Sequence, residues 1–161
     1  MNATSVLKIQ FDLQTRLFRN TLLDIADEET NDKFDEGINS IKWLAGHLLN
    51  TRVSGLAKIA GVPSDDSYVA MFGRGSKWES GGDYPTIETI MDKWESTSSA
   101  ISAGLAALPD EVLQAKAPAQ GPIADETILG LLSFLMHHEA YHIGQLGILR
   151  KMAGREAMSF A

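Results

Sequence analysis

Cysteine is absent from the chain. That absence excludes disulfides, thiolate metal sites, iron–sulfur clusters and cysteine nucleophiles together, and it fits a reducing cytoplasm. Positive charge is scarce: 14 Lys and Arg stand against 21 Asp and Glu, a net charge of −7. Wholesale binding to nucleic-acid phosphates draws on clustered cations and is disfavoured on this balance. Long apolar runs are also missing. The longest, Ile128 to Met136, covers about nine residues and includes Gly130 and Ser133, whereas a bilayer span needs roughly 20. Met1 to Gln14 has no basic region ahead of an apolar run, and Lys8 and Asp12 interrupt it. No signal peptide and no membrane association are therefore expected. No segment alternates as a strand would, and no repeat or low-complexity tract is visible.

What is present suits a packed core. A chain of 161 residues with 44% hydrophobic and 22% charged side chains is one domain, residues 1–161. Four segments carry helical periodicity. The first spans about Thr4 to Asp27, with Val6, Ile9, Leu13 and Leu17 in steps of three and four and Leu7, Phe11, Phe18, Leu22 and Ile25 widening the stripe. The second starts at Asn39 as N-cap, with Ile38 and Trp43 placed as a hydrophobic staple. Ile41, Leu44, Leu48, Leu56 and Ile59 carry its stripe, and Gly61 and Pro63 end it. The third, capped by Thr86, repeats Ile87, Ile90, Trp94, Thr97, Ile101, Leu105 and Leu108 before Pro109. The fourth runs from about Glu126 to Ala153, with Arg150 and Lys151 in its last turn and Gly154 behind it.

The fold class predicted is all-α, a four-helix bundle. Residues 62–85 form a connection long enough for a parallel crossover between the second and third helices. Their aromatics, Tyr68, Phe72, Trp78 and Tyr84, predict that this stretch packs onto the body and carries function or a short element of its own. A second connection spans Pro109 to Asp125.

All four histidines, His47, His137, His138 and His142, bear on chemistry. His138 and His142 lie about 40° apart on a helix and His137 about 100° away, so the first two share a face and the third points to a flank or solvent. That face also holds Leu131, Phe134, Tyr141, Gln145, Leu149 and Met152. Two close imidazoles directed into a bundle need partners for their ring nitrogens. One metal ion bound by both neutral rings supplies that partner; a polar layer completed by Tyr141 and Gln145 is the other reading, and spacing alone leaves both open.

The segment from His138 to His142 also reads H-E-x-x-H, the zinc-peptidase pattern with Glu139 as general base. Such enzymes need a third downstream ligand and usually a strand edge. Only residues 143–161 follow, with Glu156 their sole acid, and no strand is visible. A di-iron carboxylate site fits worse, because Glu139 and His142 make the only Glu-x-x-His pair. His47 lies about 120° or more from the second helix's apolar stripe. Periodicity alone therefore places it on the surface, although its polar strip of Ser40, Thr51 and Ser54 could line an internal cleft instead.

Two stretches resemble a known family. Asn39-Ser40-Ile41-Lys42-Trp43-Leu44-Ala45-Gly46-His47-Leu48 resembles the second-helix signature of the DinB-like superfamily, the damage-inducible bundle proteins rather than the polymerase of that name. His138-Glu139-Ala140-Tyr141-His142-Ile143-Gly144-Gln145-Leu146 resembles its fourth-helix signature. Phe72-Gly73-Arg74-Gly75-Ser76 and Tyr84-Pro85-Thr86 resemble one subgroup, so the likeness runs from the second helix to the end. It implies a four-helix bundle with a crossover and one divalent metal held by His47, His138 and His142, with no ligand role for His137. It also implies a homodimer. Relatives with assigned activity include thiol transferases using bacillithiol, mycothiol or glutathione, and a maleylpyruvate isomerase, while many members have no assigned substrate.

Three imidazoles leave a metal with open positions, as in reactive zinc sites. Zinc is the expected functional metal, and nickel, cobalt, copper or iron also suit three imidazoles. With no thiol in the chain, a small-molecule thiol would be the nucleophile toward an electrophilic substrate. Arg52 and Arg74 are candidates to hold a carboxylate of that thiol, with surface charge as their simpler role. The leading expectation is thus a metal-dependent transferase of the thiol-transferase type. The alternatives are a non-catalytic dimer that binds metal or a ligand, a metal-free scaffold, and, remotely, an H-E-x-x-H metallohydrolase.

Overall fold

The computed structural model describes residues 2–79 and 81–161. Ser80, inside the expected irregular stretch, lies outside them. Helix α1 (Ala3–Leu22) begins where Asn2 Oδ1 accepts from the Ser5 amide at 3.1 Å and thereby satisfies an orphan donor. It stops short of the expected Asp27. Asp24 turns left-handed at φ 60°, and the carbonyls of Leu23 and Asp24 accept from the Arg150 and Arg155 guanidinium groups. The apolar stripe is also rotated from the expected one. Leu7, Phe11, Leu17, Phe18 and Leu22 are buried with Thr4, Gln14 and Thr21, while the expected Val6 and Ile9 face solvent. The true face runs through three polar residues that a hydrophobic count skips.

Helix α2 (Ile41–Asn50) is capped by Ser40, whose Oγ accepts from the Trp43 amide at 3.2 Å. The expected cap at Asn39 is one residue early, so Ile38 and Trp43 do not occupy staple positions, and Ile38 is exposed. Every residue of α2 is buried, so this helix has no solvated face for periodicity to find. A π turn (Thr51–Leu56) and a last turn (Ala57–Ile59) extend it to Gly61, whose φ of 69° ends it as expected.

The connection that follows carries the short helix α3 (Val69–Phe72). Its aromatics pack onto the body as the composition predicts: Trp78 stacks on Tyr84 at 4.1 Å, and Tyr84 lies 5.6 Å from Phe72, which is fully buried. Helix α4 (Ile87–Ala107) is capped by Thr86 as expected. It buries Ile87, Ile90, Trp94, Ser98, Ile101 and Leu105, so Ser98 takes the place expected for Thr97. A short helix α5 (Asp110–Leu113) and an isolated antiparallel bridge between Lys116 and Thr127 lead to α6 (Ile128–Met152). Thr127 caps α6, two residues into its expected span, and Gly154 closes it at φ 77°.

The four long helices make an all-α bundle. Helix α1 packs against α4 and α6, and α2 packs against the same two, so α1 and α2 are diagonal. Asp27 fixes one end of this arrangement by accepting from Lys42 Nζ at 2.9 Å and from the Ile87 amide at 2.6 Å. Burial pushes the Asp27 carboxyl up, but these bonds outweigh it and hold it below the usual range. The starts of α2 and α4 are therefore adjacent. At the far ends a Cβ on Gly104 would collide with the Ala60 carbonyl. The two helices run parallel, joined by the expected crossover. Two apolar clusters fill the bundle, one around Phe18, Leu48, Trp94 and Leu146, the other around Phe11, Leu56, Leu105 and Leu132. Among the described residues no helix is long and apolar enough to cross a membrane, and no strand is formed.

Candidate metal centre

His47 is nine-tenths buried rather than on the surface where periodicity puts it. Its ring stacks on Trp43 with centroids 4.9 Å apart and planes within 7°. Its Nδ1 lies 2.7 Å from the Phe72 carbonyl. A carbonyl only accepts, so Nδ1 carries the proton and Nε2 presents a lone pair. That lone pair points across to α6, where His138 Nε2 stands 3.1 Å away. His142 completes the group: one nitrogen from each of the three rings lies within 4.8 Å of the others. His142 Nδ1 donates to Gln145 Oε1 at 2.6 Å, which leaves its Nε2 free, and Gln145 Nε2 donates to the Tyr141 hydroxyl at 3.2 Å. Tyr141 itself is 59% exposed, so it does not point into the bundle as the shared face predicted. His138 and His142 sit half-buried at the rim of a cleft rather than deep among apolar side chains. His137 is exposed, as expected.

This donor set fits a divalent ion. Two nitrogens each about 2.0–2.1 Å from a tetrahedral zinc lie about 3.3–3.4 Å apart, close to the His47–His138 separation. Hydrogen bonds on the far side of two rings fix their tautomers, the usual arrangement behind metal-ligating histidines. The two rings on α6 are also held neutral. Burial, then repulsion from His142, His47 and His137, pushes His138 down to about 4. Burial lowers His142 too, against the raising effect of Gln145. Neutral imidazole is the ligating form.

A pH dependence follows. An unfolded imidazole titrates near 6.5, and folded His138 only at about 4. Between those values the unfolded chain binds more protons, so stability is held above about 6.5 and declines as pH falls toward about 4. Urea midpoints of the metal-free protein across that window measure the decline. It is expected to flatten in a His138→Gln/His142→Gln variant; an unchanged slope refutes the assignment.

Gly46 explains how the Phe72 carbonyl reaches His47. A Cβ at Gly46 would collide with carbons of the Phe72 ring, so glycine lets α3 close onto α2. Gly46→Ala is expected to cost about 1–3 kcal/mol through overpacking. It should also weaken metal binding by roughly 10–100-fold, the usual cost of losing a partner behind a ligand. Chemical denaturation and competitive chelator titration measure the two effects.

Glu139 and Arg52 differ most from expectation. Glu139 is fully buried, and both its oxygens accept from Arg52 at 2.7 Å, from Nε and Nη2. Arg52 is 1% exposed, not a surface charge and not a cleft residue. All five of its N–H groups are used: Nη1 donates to Thr15 and Ser98 hydroxyls, and Nη2 also to the Phe11 carbonyl at 3.2 Å. Its guanidinium carbon sits 3.6 Å over the Trp94 ring. The pair joins α1, α2's π turn, α4 and α6 between the two apolar clusters. Glu139 therefore cannot serve as a general base at the histidines, and the H-E-x-x-H peptidase reading loses its base. The signal was present in sequence. Arg52 sits three, four and four positions from Leu49, Leu48 and Leu56, and Glu139 lies on the line Leu132, Leu135, Ile143, Leu146. Each is a charge on an apolar stripe, which a buried partner explains.

The three histidines open onto a cleft of about 930 Å³, walled by α2, the Arg74–Gly75 turn, residues 120–122 and α6. A family model described as the DinB superfamily matches residues 10–146. Among curated proteins none matches the chain.

Proposed function

The chain belongs to the DinB superfamily, and on that premise we propose that it is a metal-dependent enzyme of the thiol-transferase type, with His47, His138 and His142 holding one divalent ion. The observation that carries this reading is the convergence of three imidazoles from two helices on a common point beside a cleft. A divalent cation there supplies Lewis acidity that makes a thiol or water acidic near neutral pH. The protein's own part is orientation. Phe72 and Gln145 fix the rings, and the cleft positions two small molecules beside them. Because the chain has no cysteine, the thiol is a cosubstrate. Its sulfur bonds to the electrophilic carbon as the leaving group departs with that carbon's bonding pair, and the thiol proton passes to solvent. Zinc is the metal we assign to function, with nickel, cobalt or iron able to occupy the same donors.

Elemental analysis of untagged protein, followed by incubation of the metal-loaded form with several low-molecular-weight thiols and a model electrophile, tests the proposal. Near-stoichiometric metal and thiol consumption above a His138→Ala control are expected. Metal without turnover would instead favour a non-catalytic binding module, and absence of metal a hydrogen-bonded scaffold. The homodimer implied by the family is supported by the row of exposed apolar side chains on α6, Tyr141, Ile148 and Met152. Sedimentation equilibrium measures it.

A further inference from the structure

Resting on the reading of the three-histidine cleft as a substrate site, we propose that its ligand is a small organic acid. That ligand carries a carboxylate and an N–H or O–H donor on an apolar body, and Arg74 and Asn50 select it.

The first observation is electrostatic. The chain holds 21 acidic residues against 14 basic ones, yet among the described residues no Asp or Glu lines this cleft. Among the described residues its one formally charged side chain is Arg74, beside three imidazoles. A cleft of one sign in a protein of the opposite net charge concentrates anions locally. Arg74 is also uncommitted. Arg52, Arg150 and Arg155 donate to carboxylates or carbonyls; Arg74, among the described residues, has neither an ion pair nor a hydrogen bond. A guanidinium presents a planar fork that matches a carboxylate.

The second observation is a buried orphan. Asn50, one turn beyond His47 on α2, is 8% exposed and lines the cleft, and its Oδ1 is buried without a partner. Buried polar atoms are rarely left so, because each forfeits its hydration. Because Asn50 lines the cleft, a small turn of its amide would bring this unpaired acceptor to a donor on the ligand. Pro122, Leu131, Phe134 and Leu135 give the same cleft an apolar wall. A cationic fork, an unpaired acceptor and an apolar wall in one cleft define the ligand class.

Isothermal titration with three probes separates these contributions. N-acetylphenylalanine offers all three features, its neutral amide lacks the carboxylate, and 3-phenylpropionate lacks the N–H donor. Metal-free and zinc-loaded protein are both titrated. The acid is expected to bind roughly 10–100-fold more tightly than its amide, the range of a charge-assisted hydrogen bond. The preference over 3-phenylpropionate is expected to be several-fold. Arg74→Met should erase the first preference and Arg74→Lys retain part of it, with circular dichroism and metal content unchanged at this exposed position. Asn50→Ala should erase only the second. Equal affinity for acid and amide, an acid preference that survives Arg74→Met, or no saturable binding at millimolar concentration overturns the proposal. Because the metal-free protein reports anion selection and thiol consumption reports turnover, failure of this inference and failure of the transferase reading are separable.

Discussion

Glu139→Gln is expected to destabilise the protein by about 3–5 kcal/mol, because it leaves the Arg52 guanidinium in the bundle centre without a counter-charge. Arg52→Leu should cost a similar amount by stranding the carboxylate. A single substitution keeps the desolvation cost of one charge and removes the attraction that offsets it. The double variant Arg52→Met/Glu139→Leu removes both costs and places apolar volume between the two apolar clusters. It should recover most of the loss or exceed the parent, as apolar replacements of buried ion pairs often do. Urea denaturation of the parent, Arg52→Met, Glu139→Leu and the double variant Arg52→Met/Glu139→Leu closes a cycle and gives the coupling directly. If Glu139 were a base in the H-E-x-x-H sense, Glu139→Gln would leave the denaturation midpoint unmoved and remove only activity. Full burial and the bidentate bond to Arg52 argue for the opposite result.

This pair also shows which parts of the molecule its sequence discloses. Helix existence, the Thr86 cap, the glycine stops and the crossover were legible because they rest on local chemistry and on loop length. Helix α4 was clearest, since one face is buried and the other wet. Helix α2 was not, because all its residues are buried and a stripe is defined only by contrast with a solvated side. His47 was misplaced by periodicity for that reason, and only likeness to a family pointed at it. The π turn at Thr51–Leu56 then shifts the helix face by an extra residue, something no regular period anticipates. Arg52 and Glu139 are a different kind of miss. Both sit on apolar stripes in sequence, but a rule that sends charges to the surface overrides that evidence unless the partner, 87 positions away, is sought at the same time. The Phe72 carbonyl and the Gly46 gap that admits it depend on backbone placement, which side-chain patterns do not encode.

His47→Ala is expected to lower metal affinity by more than about 100-fold, beyond the 10–100-fold typical of partners behind a ligand. Gln145→Leu should stay within that smaller range, because it frees the His142 ring without removing a donor. The cost to the metal-free fold should be modest, about 1–3 kcal/mol, mainly from a Phe72 carbonyl left without its imidazole donor. Affinity by competitive chelation and stability by urea therefore move by very different amounts for one substitution, which distinguishes a ligand from a packing residue. The ordering of the variants matters as much as the sizes. If His47→Ala retains metal as well as Gln145→Leu does, the 3.1 Å approach of His47 to His138 is an imidazole hydrogen bond. The cation site would then rest on α6 alone. If the ordering holds, α2 supplies the third donor, and the crossover, the Gly46 gap and the Phe72 carbonyl become parts of one device for carrying that donor across the bundle.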